Sequence, residues 1–150
     1  MRFQVAVGRD SHNDRYAAVA SGDGSVLMLL LDMRHATAGA ASTSGGAPKR
    51  SHATWVLGRD AGGHTYSASH VCFPAFEHGA AHVLSCGNDG RILLWDYGDY
   101  VEGTARKPTV RAHAQQARKI NWAAAAQQSA ARMYIADTSP HLACYELRTA

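Results

Sequence analysis

No stretch of this chain is apolar for long enough to cross a bilayer. The longest strongly apolar run, Val26 to Leu31, has six residues, where a spanning helix takes about twenty. The first residues, Met1 to Gly8, hold no apolar segment of signal-peptide length before Arg9 and Asp10, so export is not expected. Cysteine is scarce: Cys72, Cys86 and Cys144 are odd in number and widely spaced, and each sits in an apolar stretch. A disulfide framework needs pairs, so these read as buried reduced thiols in an intracellular protein, cytoplasmic or nuclear. Charge of one sign is lacking too, with 15 basic and 12 acidic residues and a net charge of +3. The basic residues are scattered, the tightest groups being Lys49–Arg50, Arg106–Lys107 and Arg118–Lys119. A nucleic-acid binder concentrates such residues on one face, so neither nucleic acid nor membrane is an expected partner.

The chemical signatures of common enzymes are also missing. There is no Gly-x-Ser-x-Gly elbow, phosphate loop or dinucleotide fingerprint, and Gly22-x-Gly24 lies in a turn with no helix after it. Nine histidines invite a metal, and the densest group is His70, Cys72, His78, His82 and Cys86. None of its spacings matches a compact zinc module, although His70 and Cys72 would share one face of a strand. No catalytic residue, metal or other cofactor is expected.

What the chain does have is a repeated hairpin. Tyr16 to Ala20, a turn at Ser21-Gly22-Asp23-Gly24-Ser25, and Val26 to Asp32 form the first copy. His82 to Cys86, Gly87-Asn88-Asp89-Gly90, and Arg91 to Tyr97 form the second. Met133 to Ala136, Asp137-Thr138-Ser139-Pro140, and His141 to Leu147 form a degraded third. Asp-Gly between apolar runs favours a tight hairpin, because Gly accepts positive φ and Asp tolerates it. The second arms are apolar at consecutive positions, as strands are when both faces of their sheet are covered. Thr54–Leu57, His70–Phe73, Thr109–Arg111 and Lys119–Trp122 read as further short strands. Residues 36–50, rich in Ala, Ser, Gly and Thr, read as a low-complexity surface loop. Ala123 to Arg132, rich in Ala and Gln, reads as a second such insertion, within a hairpin, with a helical turn as the alternative.

Between Gly62 and Tyr97 the pattern becomes specific. Gly63-His64 is followed, 31 residues after His64, by Trp95-Asp96, with Ser85 on a strand and Asp89 in a turn between them. This resembles a WD repeat, whose Gly-His and Trp-Asp pairs bracket most of a four-stranded blade of about 40–45 residues. The resemblance implies an all-β fold: a β-propeller of WD-repeat type with about three blades of antiparallel strands, as a partial ring. It also implies a structural network of His64, Ser85, Asp89, Trp95 and Asp96, in which the first four share one hydrogen-bonded chain. Approximate repeats fall at 1–35, 52–97 and 108–148. The outer two are degenerate: Arg111-Ala112-His113 stands for Gly-His and Tyr145-Glu146 for Trp-Asp, while Leu29 takes the place of Trp95. Three blades are too few for a ring that takes 4–8. The rest would come from a longer chain or from another subunit.

The function that follows by analogy is a non-catalytic scaffold for protein partners. A sharper form is a substrate receptor of a cullin-RING ubiquitin ligase, since such receptors resemble one another in a Trp-Asp-x-Arg ending that meets the ligase adaptor. Here Asp32 and Arg34 are the candidate partner-binding residues, with Leu31 where the Trp would stand. A plain solvated Arg34 leading into the loop is the competing reading. A propeller enzyme or a ligand-binding module, and a structural subunit of a larger complex, are the alternatives of other classes.

Overall fold

The computed structural model describes residues 5–7, 16–31, 54–74, 81–126 and 132–146. The 36–50 stretch and Gln127 to Ala131 lie outside them.

Each repeated hairpin forms where its turn residues place it. β2 (Tyr16–Ala20) and β3 (Val26–Leu30) pair antiparallel, and Gly24 takes φ +90° in the turn between them. β6 (His82–Gly87) and β7 (Arg91–Asp96) pair in the same way, with Gly90 at φ +75°. In both turns the Asp carboxylate accepts the backbone amide two residues on: Asp23 from Ser25 at 2.9 Å and Asp89 from Arg91 at 3.0 Å. Gly24 has a second constraint. A Cβ there would stand 2.6 Å from the Tyr66 carbonyl oxygen and 2.7 Å from that of His64, so only glycine fits.

Three antiparallel sheets result among the described residues. β1 (Val5–Val7), β2, β3 and β4 (Thr54–Leu57) make the first, in chain order. A 3-10 turn at Arg59–Ala61 leads to the second, which holds β5 (Ala68–Cys72), β6, β7 and β8 (Thr109–Gln115). A single helical turn, α1 (Gly98–Val101), joins β7 to β8. β9 (Ile120–Ala125), β10 (Arg132–Asp137) and β11 (Leu142–Glu146) make the third. Sheets and repeats are out of phase by one strand, since β4 and β8 finish the sheet before the repeat to which the sequence assigned them.

The sheets stack face to face, and β7 shows why its arm is apolar throughout. Leu93 and Trp95 join a core shared with Tyr16, Ala18, Val26, Met28 and Leu57 of the first sheet. Ile92 and Leu94, on the opposite face, join a second core with Ile120, Ala123, Met133 and Ile135 of the third. Both faces are covered, so both must be apolar. A line of edge-to-face rings, Trp55–Tyr16–Tyr97–Phe73, closes one end of the first interface at centroid separations of 5.9, 5.5 and 6.4 Å. The all-β stack is compatible with a propeller-like arrangement. Among the described residues no helix is long and apolar enough to cross a membrane.

Two expectations need correction. Ala123 to Ala125 belong to β9 and pair with Ile135, Tyr134 and Met133 rather than starting an insertion. Alanine is a weak strand former, but here its small side chain lets Ala123, 2% exposed, sit against the second sheet. Arg111-Ala112-His113 lies inside β8 of the second sheet, not in the turn that opens the third. That turn is the 116–119 stretch between β8 and β9, which contains no histidine.

Candidate functional site

The loop between β4 and β5 carries His64 under the second sheet, where it is fully buried. Its Nδ1 lies 3.0 Å from Asp89 Oδ1, and its Nε2 lies 2.8 Å from Ser85 Oγ. The Trp95 indole N–H donates to the same Ser85 Oγ at 2.8 Å. Because an ionised Asp89 only accepts, Nδ1 carries the imidazole proton. Ser85 must then donate to Nε2 while it accepts from Trp95. The result is one directional chain from Trp95 through Ser85 and His64 to Asp89. It ties together β6, β7, the turn between them and the loop before β5, and a satisfied buried network of this kind fixes a single geometry.

Asp89 is the anchor. It also accepts the Thr65 amide at 2.9 Å and the Arg91 amide at 3.0 Å. Two arginines that sequence reasoning missed hold the loop backbone in place. Arg91 Nη1 donates to the Gly63 carbonyl at 2.6 Å, while Arg59 donates to the His64 carbonyl at 3.2 Å and to that of Thr65 at 2.6 Å. No local pattern announces such contacts, which join positions brought together only by the fold.

Asp96 stands apart from the other four. Alternation along β7 turns it to the face opposite Trp95, where it accepts the Gly98 amide at 3.2 Å and lies 3.7 Å from His82 Nε2. Asp32 and Arg34 lie outside the described residues, as does His78. The two outer sheets lack the network. By position Val19 and Leu29 replace Ser85 and Trp95 in the first sheet, and Ile135 and Tyr145 replace them in the third. At the Asp89 position of the third sheet stands Ser139, whose hydroxyl accepts the His141 amide at 3.3 Å.

Other candidate ligands are dispersed. Among the described residues no three His, Cys, Asp or Glu side chains gather as a metal would need. Cys72, Cys86 and Cys144 are all free thiols, but against expectation only Cys86 is fully buried, Cys72 being half-buried and Cys144 exposed on the edge strand β11. Burial pushes the Cys72 thiol up to about 11 and that of Cys86 higher still, so neither is a nucleophile at neutral pH.

The titrating groups make the fold acid-sensitive. Burial lowers the His64 pKa below its ordinary value despite the opposing pull of Asp89. Burial also takes His70 down to about 4, against a hydrogen bond with the Ala123 backbone. For Asp89 burial acts upward, but the Arg91 and Thr65 amides and His64 together outweigh it, so its carboxyl lies below the ordinary range. Both histidines are neutral when folded and gain a proton on unfolding below about 6.5. Their contribution is therefore complete above that pH and is lost as the pH falls below it, towards about 4 in the case of His70. At about 1.4 kcal/mol per unit, and allowing for relaxation around the buried ring, the His70 share is about 2 kcal/mol. Urea unfolding from pH 7.5 to 4 should show this decline, and His70→Phe should flatten it. An unchanged slope in the variant would place the proton elsewhere.

A second feature lies at the open side of the third sheet. In the first two sheets the third strand is followed by a fourth, β4 or β8. β11 pairs with β10 on one side, and among the described residues no strand pairs with its other edge. Beside it runs an apolar groove between the second and third sheets, lined by Leu84, Leu94, Ala112, Ala114, Met133 and Tyr145. Comparison with models of known protein families finds no match for this chain.

Proposed function

We propose that the chain forms blades of a WD-repeat β-propeller and serves as a non-catalytic scaffold, holding a partner as an extended segment laid along β11. The observation that carries this reading is the β11 edge, with which no strand pairs among the described residues, beside the apolar groove. An unpaired strand edge offers a row of backbone donors and acceptors, which is how sheets recruit peptides. Ala143 and Tyr145 turn to the core while Leu142, Cys144 and Glu146 are exposed, so an added strand would meet the same alternation. Its inward residues would fill the groove and should be apolar. The WD-repeat part of the reading is supported by the Gly63-His64 to Trp95-Asp96 spacing and by the bonding of His64, Ser85, Asp89 and Trp95.

Selection of a random peptide library on the purified protein tests the proposal. Peptides apolar at alternate positions should be enriched. Ala112→Arg, which puts a long charged side chain into the groove, should weaken their binding by at least about tenfold, or about 1.4 kcal/mol. No enrichment, or equal binding by the variant, would overturn it.

A further inference from the structure

The fourth strands of the first two sheets carry unlike side chains at equivalent positions. The turns at Asp23-Gly24 and Asp89-Gly90 align β3 with β7, so that Val26 and Met28 match Ile92 and Leu94. In the first sheet Leu57 lies opposite Val26, and Trp55 lies opposite Met28. In the second, Ala114 lies opposite Ile92 and Ala112 opposite Leu94. Trp55 and Leu57 of one sheet therefore stand where Ala112 and Ala114 stand in the next.

Residues directly opposite one another share a face, and here that face looks towards the following sheet. Leu57 and Trp55 pack into the core between the first and second sheets. Leu57 is fully buried there, and the Trp55 ring meets Tyr16 edge to face. Ala112 and Ala114 pack with Ile92 and Leu94 against the third sheet, and the apolar groove opens beside them. The groove is thus the volume that an indole and an isobutyl group fill in the preceding interface. Protein interiors close such gaps, because walls that face no atoms forfeit their dispersion contacts. From the third sheet only Met133, Tyr145 and Glu146 line this space.

We infer that the partner segment held along β11 is anchored by an aromatic side chain, seated over Ala112 and Ala114 beside Leu94 and Tyr145. The occupant is an extended peptide of a partner protein, with an aromatic residue at one inward position and an apolar residue two places away. That spacing follows from Ala112 and Ala114, which are alternate residues of one strand. The groove continues the interface that the second and third sheets already form, so its size as well as its apolar lining selects what enters. A ring suits it because aromatic side chains bury about 150–250 Å² each and lose little conformational freedom in doing so. The inference rests on the β11 reading above and specifies its ligand.

Peptides of that pattern, with Trp, Leu or Ala at the anchor position, test it by calorimetric titration into the purified protein. The Trp peptide should bind at least about thirtyfold more tightly than the Ala peptide, as interface anchors do, with the Leu peptide between them. Ala112→Trp restores the side chain found at Trp55 and should bring the Trp peptide down to the level of the Ala peptide. The Ala peptide should bind this variant no worse than it binds the native protein. Ala114→Leu makes the same comparison with a smaller change, and urea unfolding shows whether each variant is folded. Equal binding of the three peptides by the native protein overturns the inference and leaves the β11 reading standing. An aromatic preference that survives in both folded variants does the same. No binding by any peptide would assign the groove to the chain's own residues and sink both readings.

Discussion

Trp95→Ala should lower the unfolding free energy by about 3–5 kcal/mol, the range for removing a buried Trp from a close-packed core. Trp95 is fully buried. Its ring fills the interface between the first and second sheets beside Leu93 and Val83, against Tyr16 and Met28. Its N–H is also the first donor of the chain that runs through Ser85 to His64. Domains of this size hold only about 5–15 kcal/mol in total, so the variant should lie near its unfolding midpoint in mild denaturant. Trp95→Phe separates the two contributions. It keeps most of the apolar area and removes the donor, so about 1–2 kcal/mol is expected from the bond alone. A cycle with Ser85→Ala, measured by urea unfolding, should show coupling between the two positions. Strictly additive losses would mean that the bond contributes nothing to stability.

The features legible in the sequence are those in which one cause acts on a few neighbouring residues. Asp23-Gly24 and Asp89-Gly90 announce their turns because positive φ is a property of one residue. The consecutive apolar residues of β7 announce a strand covered on both faces, because alternation sends each neighbour to a different core. The positions of His64, Ser85, Asp89 and Trp95 were legible through a family resemblance, and the structure brings all four within hydrogen-bonding distance. Asp96 was read with them because it adjoins Trp95, yet adjacency in a strand is what puts it on the other face. The sequence reads only Thr109–Arg111 of β8 as strand, because Arg111-Ala112-His113 is matched there to the Gly-His turn. In the fold Arg111, His113 and Gln115 alternate with half-buried Val110, Ala112 and Ala114 along the outer strand of its sheet. Arg59 and Arg91 gave no signal, since what they hold is backbone that only the folded chain brings near.

Gly87→Ala is expected to cost about 2–6 kcal/mol, although Gly87 has no positive φ and sits at the end of an ordinary strand. A methyl group built there would lie 2.5 Å from Asp89 Oδ1 and 2.5 Å from His64 Nδ1, wedged into the bond that joins them at 3.0 Å. Neither partner can yield freely, because Asp89 is held by two backbone amides and His64 is held by Ser85. Overpacking of this kind costs about 1–3 kcal/mol, and a buried donor left without its acceptor costs about 1–3 more. Gly98→Ala, beyond the other end of the β6–β7 hairpin, is the comparison. Its methyl would crowd the Ala81 Cβ at 3.1 Å and meet Asp96 Oδ1 in ordinary contact at 3.7 Å, so its loss should be clearly smaller. Nitrogen NMR of the imidazoles adds a direct reading. In the native protein His64 should hold its proton on Nδ1 and exchange it slowly, and Gly87→Ala should abolish that protection. A variant that keeps both the protected proton and its stability would show that the His64–Asp89 contact is not what fixes this corner of the fold.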